Sequence, residues 1–270
     1  VLGEAKTLGA IGDIDRRMGR YDVARAAYGD ALMLYRKEVN RAGVANTLRG
    51  LGELERQIGN REAAIAAYTE ARELYRALTD RQGEANTLLS YAELLRNANE
   101  AANARKVYTD AQRLYRLERD RAGQAFVLLG LGDLERDEGQ LDKARATYDE
   151  AREIFRDDRV RFGEALALLS LGDLEIARRA PNTAKPFYTE ARMILYRDRV
   201  MFGEIHSLTG LSLVERLSNN PAKAIEWSRG AGAVAAQARD AVSTAALAHL
   251  GQHPTAAPPA YMRARYYALR

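Results

Sequence analysis

An all-α solenoid of helical hairpins is the fold class this sequence predicts, and three observations predict it. A glycine returns at forty-residue intervals, as Gly3, Gly43, Gly83, Gly123, Gly163 and Gly203. A fixed period of that length is the mark of a stacked repeat array. Glu, Ala, Leu, Arg and Lys are abundant, Pro occurs six times, and no stretch alternates Val and Ile as a strand would. Within each period the apolar residues step by three and four positions, which draws one stripe along a helix. Units of this kind bury their apolar faces only against their neighbours, so they build an extended surface and not a closed pocket.

The repeat runs through almost all of the 270 residues, and the pattern reads as one array without an internal boundary. The chain opens at Val1, inside a repeat and without Met, and so reads as a fragment of something longer. It has 41 basic and 37 acidic residues, a net charge of +4, with both signs interspersed along every helix. That is a solvated surface laced with ion pairs, not the segregated basic stripe of a nucleic-acid binder. The absence of Cys excludes disulfides and cysteine nucleophiles and fits a reducing, cytoplasmic setting. No apolar run is long enough for a membrane span, and no signal peptide opens the chain.

Residues 43–82 show the unit. Leu48, Leu51, Leu54 and Ile58 form the stripe of a first helix, which Gly59-Asn60 ends. Ala64, Tyr68, Ala71, Leu74 and Tyr75 form the stripe of a second, and Thr79-Asp80 offers the N-cap of the next. The same pattern places repeats at 3–42, 43–82, 83–122, 123–162, 163–202 and 203–242.

Four side-chain columns predict where the helices pack. Leu48 recurs as Leu8, Leu88, Leu128, Leu168 and Leu208. Ala64 and Ala71 recur without exception through Ala224 and Ala231, which implies helices too close for a larger side chain. Tyr28, Tyr68, Tyr108, Tyr148 and Tyr188 form a packing column that ends in Ser228, with the single Trp, Trp227, beside it as a core filler. Gly12, Gly52, Gly132 and Gly172 mark the close crossing of the two helices in a hairpin.

The combination Leu51-Gly52, Gly59, Ala64, Tyr68 and Ala71 resembles the tetratricopeptide repeat (TPR), in the same order and spacing. The forty-residue period resembles the subtype of Partner-of-Inscuteable adaptors and bacterial signalling arrays. The resemblance implies a right-handed superhelical solenoid that holds a partner segment in a concave groove lined by the first helix of each pair. It therefore implies a non-enzymatic protein-binding scaffold. The alternative is a sensor or regulatory arm of a larger multidomain bacterial signalling protein.

Departures from the pattern carry the rest. Pro181 suits the start of a helix, whereas Pro186 is expected to loosen or bend the same helix. After Val242 the register fails. Residues 243–250 read as the first helix of a seventh unit, 255–258 as a Pro/Ala linker, and the last residues as a capping helix with Tyr261, Met262, Tyr266 and Tyr267 on its apolar side. His249 and His253 have a metal-ligand spacing, but Gly251 and Pro254 break a helix there, and they read with His206 as ordinary histidines. No phosphate loop or catalytic constellation is present, so no cofactor, metal or enzyme activity is expected.

The candidate site is the groove face of the first helices. Glu53, Glu93 and Asp133 recur three residues before Arg56, Arg96 and Arg136, close enough for local pairing, and the column goes on to Asp173 with the apolar Ile176 in the Arg position. Such an arginine ladder is also able to grip carboxylates or carbonyls of a partner. Asn46, Arg49 and Asn86 make the N-terminal half of this face polar, and Phe126, Leu129 and Leu169 make repeats four and five apolar. The expected partner is a protein or peptide segment, acidic and carrying an apolar anchor. Nucleic acid and membrane are not expected.

Overall fold

The computed structural model describes residues 1–17 and 19–238 of the chain, and the segment read above as a partial seventh repeat, linker and cap lies outside them, with His249 and His253. Twelve α-helices occupy the described residues. They are α1 (Leu2–Arg17), α2 (Tyr21–Lys37), α3 (Arg41–Gln57), α4 (Arg61–Ala77), α5 (Arg81–Asn97) and α6 (Ala101–Leu117), then α7 (Arg121–Asp137), α8 (Leu141–Asp157), α9 (Arg161–Ala177), α10 (Pro181–Arg197), α11 (Met201–Leu217) and α12 (Pro221–Ala238). Each odd helix packs on the even helix that follows it, as a hairpin. The hairpins fall into two compact units, one over Val1–Asp120 and one from Arg121 onward. Within each unit the even helix of one hairpin also packs on the odd helix of the next.

The turns explain the even spacing. Every described turn residue from Gly19 to Asn219, at steps of twenty, has a left-handed backbone. At Val39 the following N–H of Asn40 reaches back to the Tyr35 carbonyl at 2.9 Å, and the N–H of Val39 reaches Arg36 at 3.1 Å. That is the Schellman closure of a helix, and it recurs at Thr79 and Arg159. Turns within a hairpin and turns between hairpins are thus the same device. Glycine suits the position, yet the chain places Val39 and Thr79 there, at φ 54° and 56°. A β-branched residue in this region is strained.

The repeat glycines are explained by rings. A Cβ on Gly43 would meet the Tyr35 ring at 2.3 Å, and one on Gly83 would meet Tyr75 at 2.3 Å. Phe155 lies on Gly163 and Leu195 on Gly203 in the second unit. The in-hairpin glycines serve the other aromatic column: Gly52 is covered by Tyr68, Gly132 by Tyr148 and Gly172 by Tyr188. The alanine columns are buried throughout, as their lack of variation predicts, and the tyrosine column is buried from Tyr28 to Tyr188. Trp227 is half-buried against Ile205, Leu208, Ala231 and Ala235, and Arg192 stands over its ring at 5.5 Å. Pro186 does not break α10, which runs unbroken from Pro181 to Arg197. Near a helix start the ring removes one hydrogen bond from an exposed turn, which neighbouring packing tolerates.

Charged pairs thirty residues apart bind neighbouring hairpins. Arg25 grips Glu55 at 2.7 and 3.1 Å, Arg145 reaches Glu175 at 3.0 Å, and Lys185 reaches Glu215 at 2.7 Å. Between α4 and α5 the same two positions hold Ile65 and Leu95, so both partners changed together from charged to apolar. This accounts for the acidic column of Glu55, Glu175 and Glu215.

Three substitutions test this reading by thermal melting. Gly83→Ala overpacks the Tyr75 ring and is expected to cost about 1–3 kcal/mol. Val39→Gly relieves a left-handed valine that is mostly exposed, and is expected to stabilise by about 0.5–1 kcal/mol. Asn99→Gly, at an equivalent turn that asparagine tolerates, is expected to change little.

Candidate functional site

The acid and arginine columns lie on the odd helices, where the three-residue spacing puts them side by side. In α3, Arg56 donates to Glu53 at 2.6 Å, and the hydroxyl of Tyr68 on α4 donates to the same carboxylate at 2.9 Å. Tyr28 to Asp13 at 2.7 Å, Tyr148 to Asp133 at 2.6 Å and Tyr188 to Asp173 at 2.6 Å repeat the bond. The ring that lies on the hairpin glycine therefore also ends on the hairpin carboxylate, one side chain meeting two separate constraints of packing and charge.

These groups are internal. The side chains of Arg56 and Glu53 are 5% and 4% exposed, and Arg136 and Asp133 are 11% and 3% exposed. The arginine ladder is consequently corrected from a row of free forks to a structural network, because each guanidinium is already spent on its own helix. It is also shared onward. Arg16 is drawn to Glu53 and Arg56 to Glu93 in the first unit, and Arg136 to Asp173 in the second. Burial opposes the charge on Glu53, but the guanidinium groups of Arg56 and Arg16 and a hydrogen bond from Ser90 outweigh it and hold the carboxyl at about 2. Burial likewise pushes the Tyr28, Tyr68 and Tyr188 hydroxyls up. In the fifth hairpin the column ends: Ile176 replaces Arg and Leu213 replaces the next acid. There the His206 Nε2 comes within 3.1 Å of Asp173.

The apolar half of the expected groove is corrected too. Phe126, Leu129 and Leu169 are at most 1% exposed. Phe126 lies edge-on to Phe155 of α8, with ring centroids 4.7 Å apart. Ile176 is half-buried, and Glu93 is buried, while Arg96 is half-buried. These apolar residues form the core of the second unit and line no groove, because the odd helices are rotated relative to the register the sequence suggested.

The polar half of the expected face behaves differently. Asn46 is exposed and Asn86 half-buried, at equivalent positions of the adjoining helices α3 and α5. The Tyr75 hydroxyl donates to Asn46 Oδ1 at 2.7 Å, and the Tyr115 hydroxyl donates to Asn86 Oδ1 at 2.8 Å. Arg49 in turn is drawn to the Tyr75 hydroxyl. A guanidinium only donates, so beside it the phenol oxygen faces Arg49 and the phenol proton goes to Asn46. Each carboxamide has its oxygen engaged by a tyrosine hydroxyl, which leaves its NH2 outside that bond.

Sequence reasoning included both asparagines but placed Tyr75 only in the apolar stripe and did not single out Tyr115. The signal was present as an offset of twenty-nine residues. Where Asn46 faces Tyr75 and Asn86 faces Tyr115, the same offset joins Phe126 to Phe155 and Leu166 to Leu195. Polar pairs with polar and apolar with apolar. Among the described residues no cluster of His, Asp or Glu is fit to hold a metal ion, and no helix is long and apolar enough to cross a membrane.

A family model described as Tetratricopeptide repeat matches residues 3–77 and 83–157, together more than half of the chain. No curated protein matches the sequence. Solved structures share the fold. BtubC from P. vanneervenii is 16% identical with a TM-score of 0.60, over 83% of this chain and 91% of that one. The apo form of RapI is 12% identical with a TM-score of 0.62, over 86% and 97%. The Rap conjugation gene regulator of the plasmid pLS20, in complex with a Phr peptide, is 14% identical with a TM-score of 0.50, over 84% and 72%.

Acid titration checks the buried network. A carboxyl held below its ordinary value contributes stability that is present above the unfolded value of 4.5 and is lost as pH falls toward about 2. Glu53→Gln is therefore expected to destabilise the chain at pH 7 and to flatten its loss of stability between those two values. Arg56→Glu is expected to cost about 3–5 kcal/mol, because it leaves a buried carboxylate unpaired. Both are read by denaturant melts at fixed pH.

Proposed function

We propose that this chain, which belongs to the tetratricopeptide repeat family, is a non-enzymatic interaction module whose first unit holds an extended segment of a partner protein. The single observation that carries the reading is the oriented pair Asn46 and Asn86. Each offers an amide NH2 with its oxygen already engaged, and the two sit at matching places on neighbouring helices. Backbone carbonyls of an extended segment are the acceptors such a row of donors suits. Arg49, half-buried beside Asn46, adds a guanidinium for a carboxylate or carbonyl of the same segment. Donors fixed in advance lose little freedom when a partner binds.

The partner is accordingly a protein or peptide segment with acidic character. The large apolar anchor expected from the sequence is withdrawn from Phe126, Leu129 and Leu169, since those side chains are inside the second unit. Tetratricopeptide domains are in general protein-interaction modules and typically non-catalytic, which supports the reading. The alternative, a regulatory arm of a larger signalling protein, uses the same surface and differs in what the bound segment controls. The Rap conjugation gene regulator, whose structure is in complex with a Phr peptide, supports that alternative.

The experiment is a pull-down with the intact chain, mapping of the bound segment, and titration of that segment by calorimetry. Asn46→Asp combined with Asn86→Asp keeps an acceptor for each tyrosine hydroxyl but removes the NH2 donor. Binding is expected to weaken at least tenfold with an unchanged melting temperature, and to fall in the parent chain as salt rises. Undiminished binding by the double variant moves the site to the even helices or the turns.

A further inference from the structure

Two described turns join hairpins within the second unit, one after α8 and one after α10. In each of them a carboxylate is already taken. Arg121 reaches Asp158 at 2.7 Å, and Arg161 reaches Asp198 at 3.0 Å. The second of these pairs runs from the start of α9 to the turn after α10, so the two turns adjoin. The residue that follows each spent acid is an arginine without such a bond. Arg159 and Arg199 are exposed and make no ion pair with a described residue, and the same holds for Arg156 and Arg197 in the helix ends before them.

Both turn arginines hold a left-handed backbone, at φ 56° and 54°. Gly59, Gly139 and Asn99 hold it elsewhere without the strain that a larger side chain meets. An exposed side chain offsets none of that strain by packing. Tyr196 stands in the same turn as Arg199, its carbonyl accepting the Arg199 N–H at 3.1 Å. Four other even helices place Arg36, Arg76, Arg116 and Arg156 at that position. Here alone among those five it is an aromatic residue, and it is 66% exposed.

We propose that the turns at Arg159 and Arg199 form an interaction surface for an acidic segment of a partner protein, whose carboxylates pair with the free guanidinium groups and whose apolar side chain rests on Tyr196. Guanidinium groups grip carboxylates with two parallel bonds. Tyr and Arg together are the residues that dominate the centres of protein interfaces. A continuous polyanion fits less well, because Asp157, Asp158 and Asp198 alternate with the arginines and repel an unbroken row of phosphates. Spaced carboxylates avoid them. The surface shares no residue with Asn46, Arg49 or Asn86.

The test uses the full chain and a fluorescein-labelled peptide of glutamates around a central leucine, followed by anisotropy at low salt. Saturable binding is expected, and it weakens as salt rises. Arg159→Glu combined with Arg199→Glu is expected to weaken it by about tenfold or more, and Tyr196→Ser by about threefold or more. Arg159→Gly combined with Arg199→Gly separates binding from folding. That pair is expected to raise the melting temperature, because glycine suits the turn, while weakening the peptide. Asn46→Asp combined with Asn86→Asp is expected to bind the peptide normally, which distinguishes this surface from the proposed segment site. The proposal is overturned by an absence of saturable binding, by undiminished binding in both arginine pairs, or by a loss confined to the asparagine pair. A melting temperature that falls with binding in the glycine pair overturns it too, since the arginines are then structural. So does tighter binding of poly(U) RNA or phosphatidylserine vesicles that the glutamate pair abolishes, since the occupant is then a polyanion.

Discussion

An aromatic ring set on a glycine is the constraint on which the rest of this structure depends. In the second hairpin it operates twice. Tyr68 covers Gly52 and closes a hairpin, and Tyr75 covers Gly83 and joins one hairpin to the next. The glycine lets two helix backbones approach to within the thickness of a ring, and the ring fills that space without a void. The alanine columns follow, because residues flanking so close a crossing have no room for more than a methyl group. The turns follow as well: helices held at one spacing need links of one length, which the left-handed closure at every twentieth residue supplies.

The hydroxyl at the far end of each ring decides what the neighbouring surface is. Tyrosines of the hairpin column end on Asp13, Glu53, Asp133 or Asp173, and the first three of those acids also claim the arginine of their own helix. An arginine held this way is buried and neutralised, and removing its partner costs more than the pair contributes. Rings of the second column end on Asn46 or Asn86 in the first unit, where they leave an oriented donor at the surface. In the second unit that ring is Phe155 or the side chain is Leu195, and the position above becomes the buried Phe126 or Leu166. One oxygen atom, present or absent, separates a polar surface position from a core position.

Charge is arranged by the same geometry. Arg16, Arg56 and Arg136 each lie between the acid of their own helix and the acid of the following odd helix. The alternation ends at Asp173, where the next two members are Ile176 and Leu213 and an imidazole approaches instead. A second set of pairs, from Arg25 to Glu55 and from Lys185 to Glu215, ties even helices to the odd helices that follow. The replacement of one such set by Ile65 and Leu95 keeps the interface consistent, since a lone charge there would be stranded against an apolar wall.

The sequence by itself determined the helices, their pairing, the turn positions and the packing columns. Those features are set by local periodicity and by side-chain volume, and both recur every forty residues, so they are legible one repeat at a time. Gly52 and Ala64 were readable as close approaches before any partner was known. What only the tertiary structure decided is the rotation of each odd helix about its axis. A shift of one position turns a helix by about 100°, enough to carry Phe126, Leu129 and Leu169 from a supposed groove into the core and Arg56 into a buried pair. It decided equally that Tyr75 and Tyr115 steer Asn46 and Asn86, because a bond between residues twenty-nine apart leaves no local trace in the periodicity. Spacing along a chain fixes which face a residue shares, and only the neighbouring helix fixes whether that face meets water.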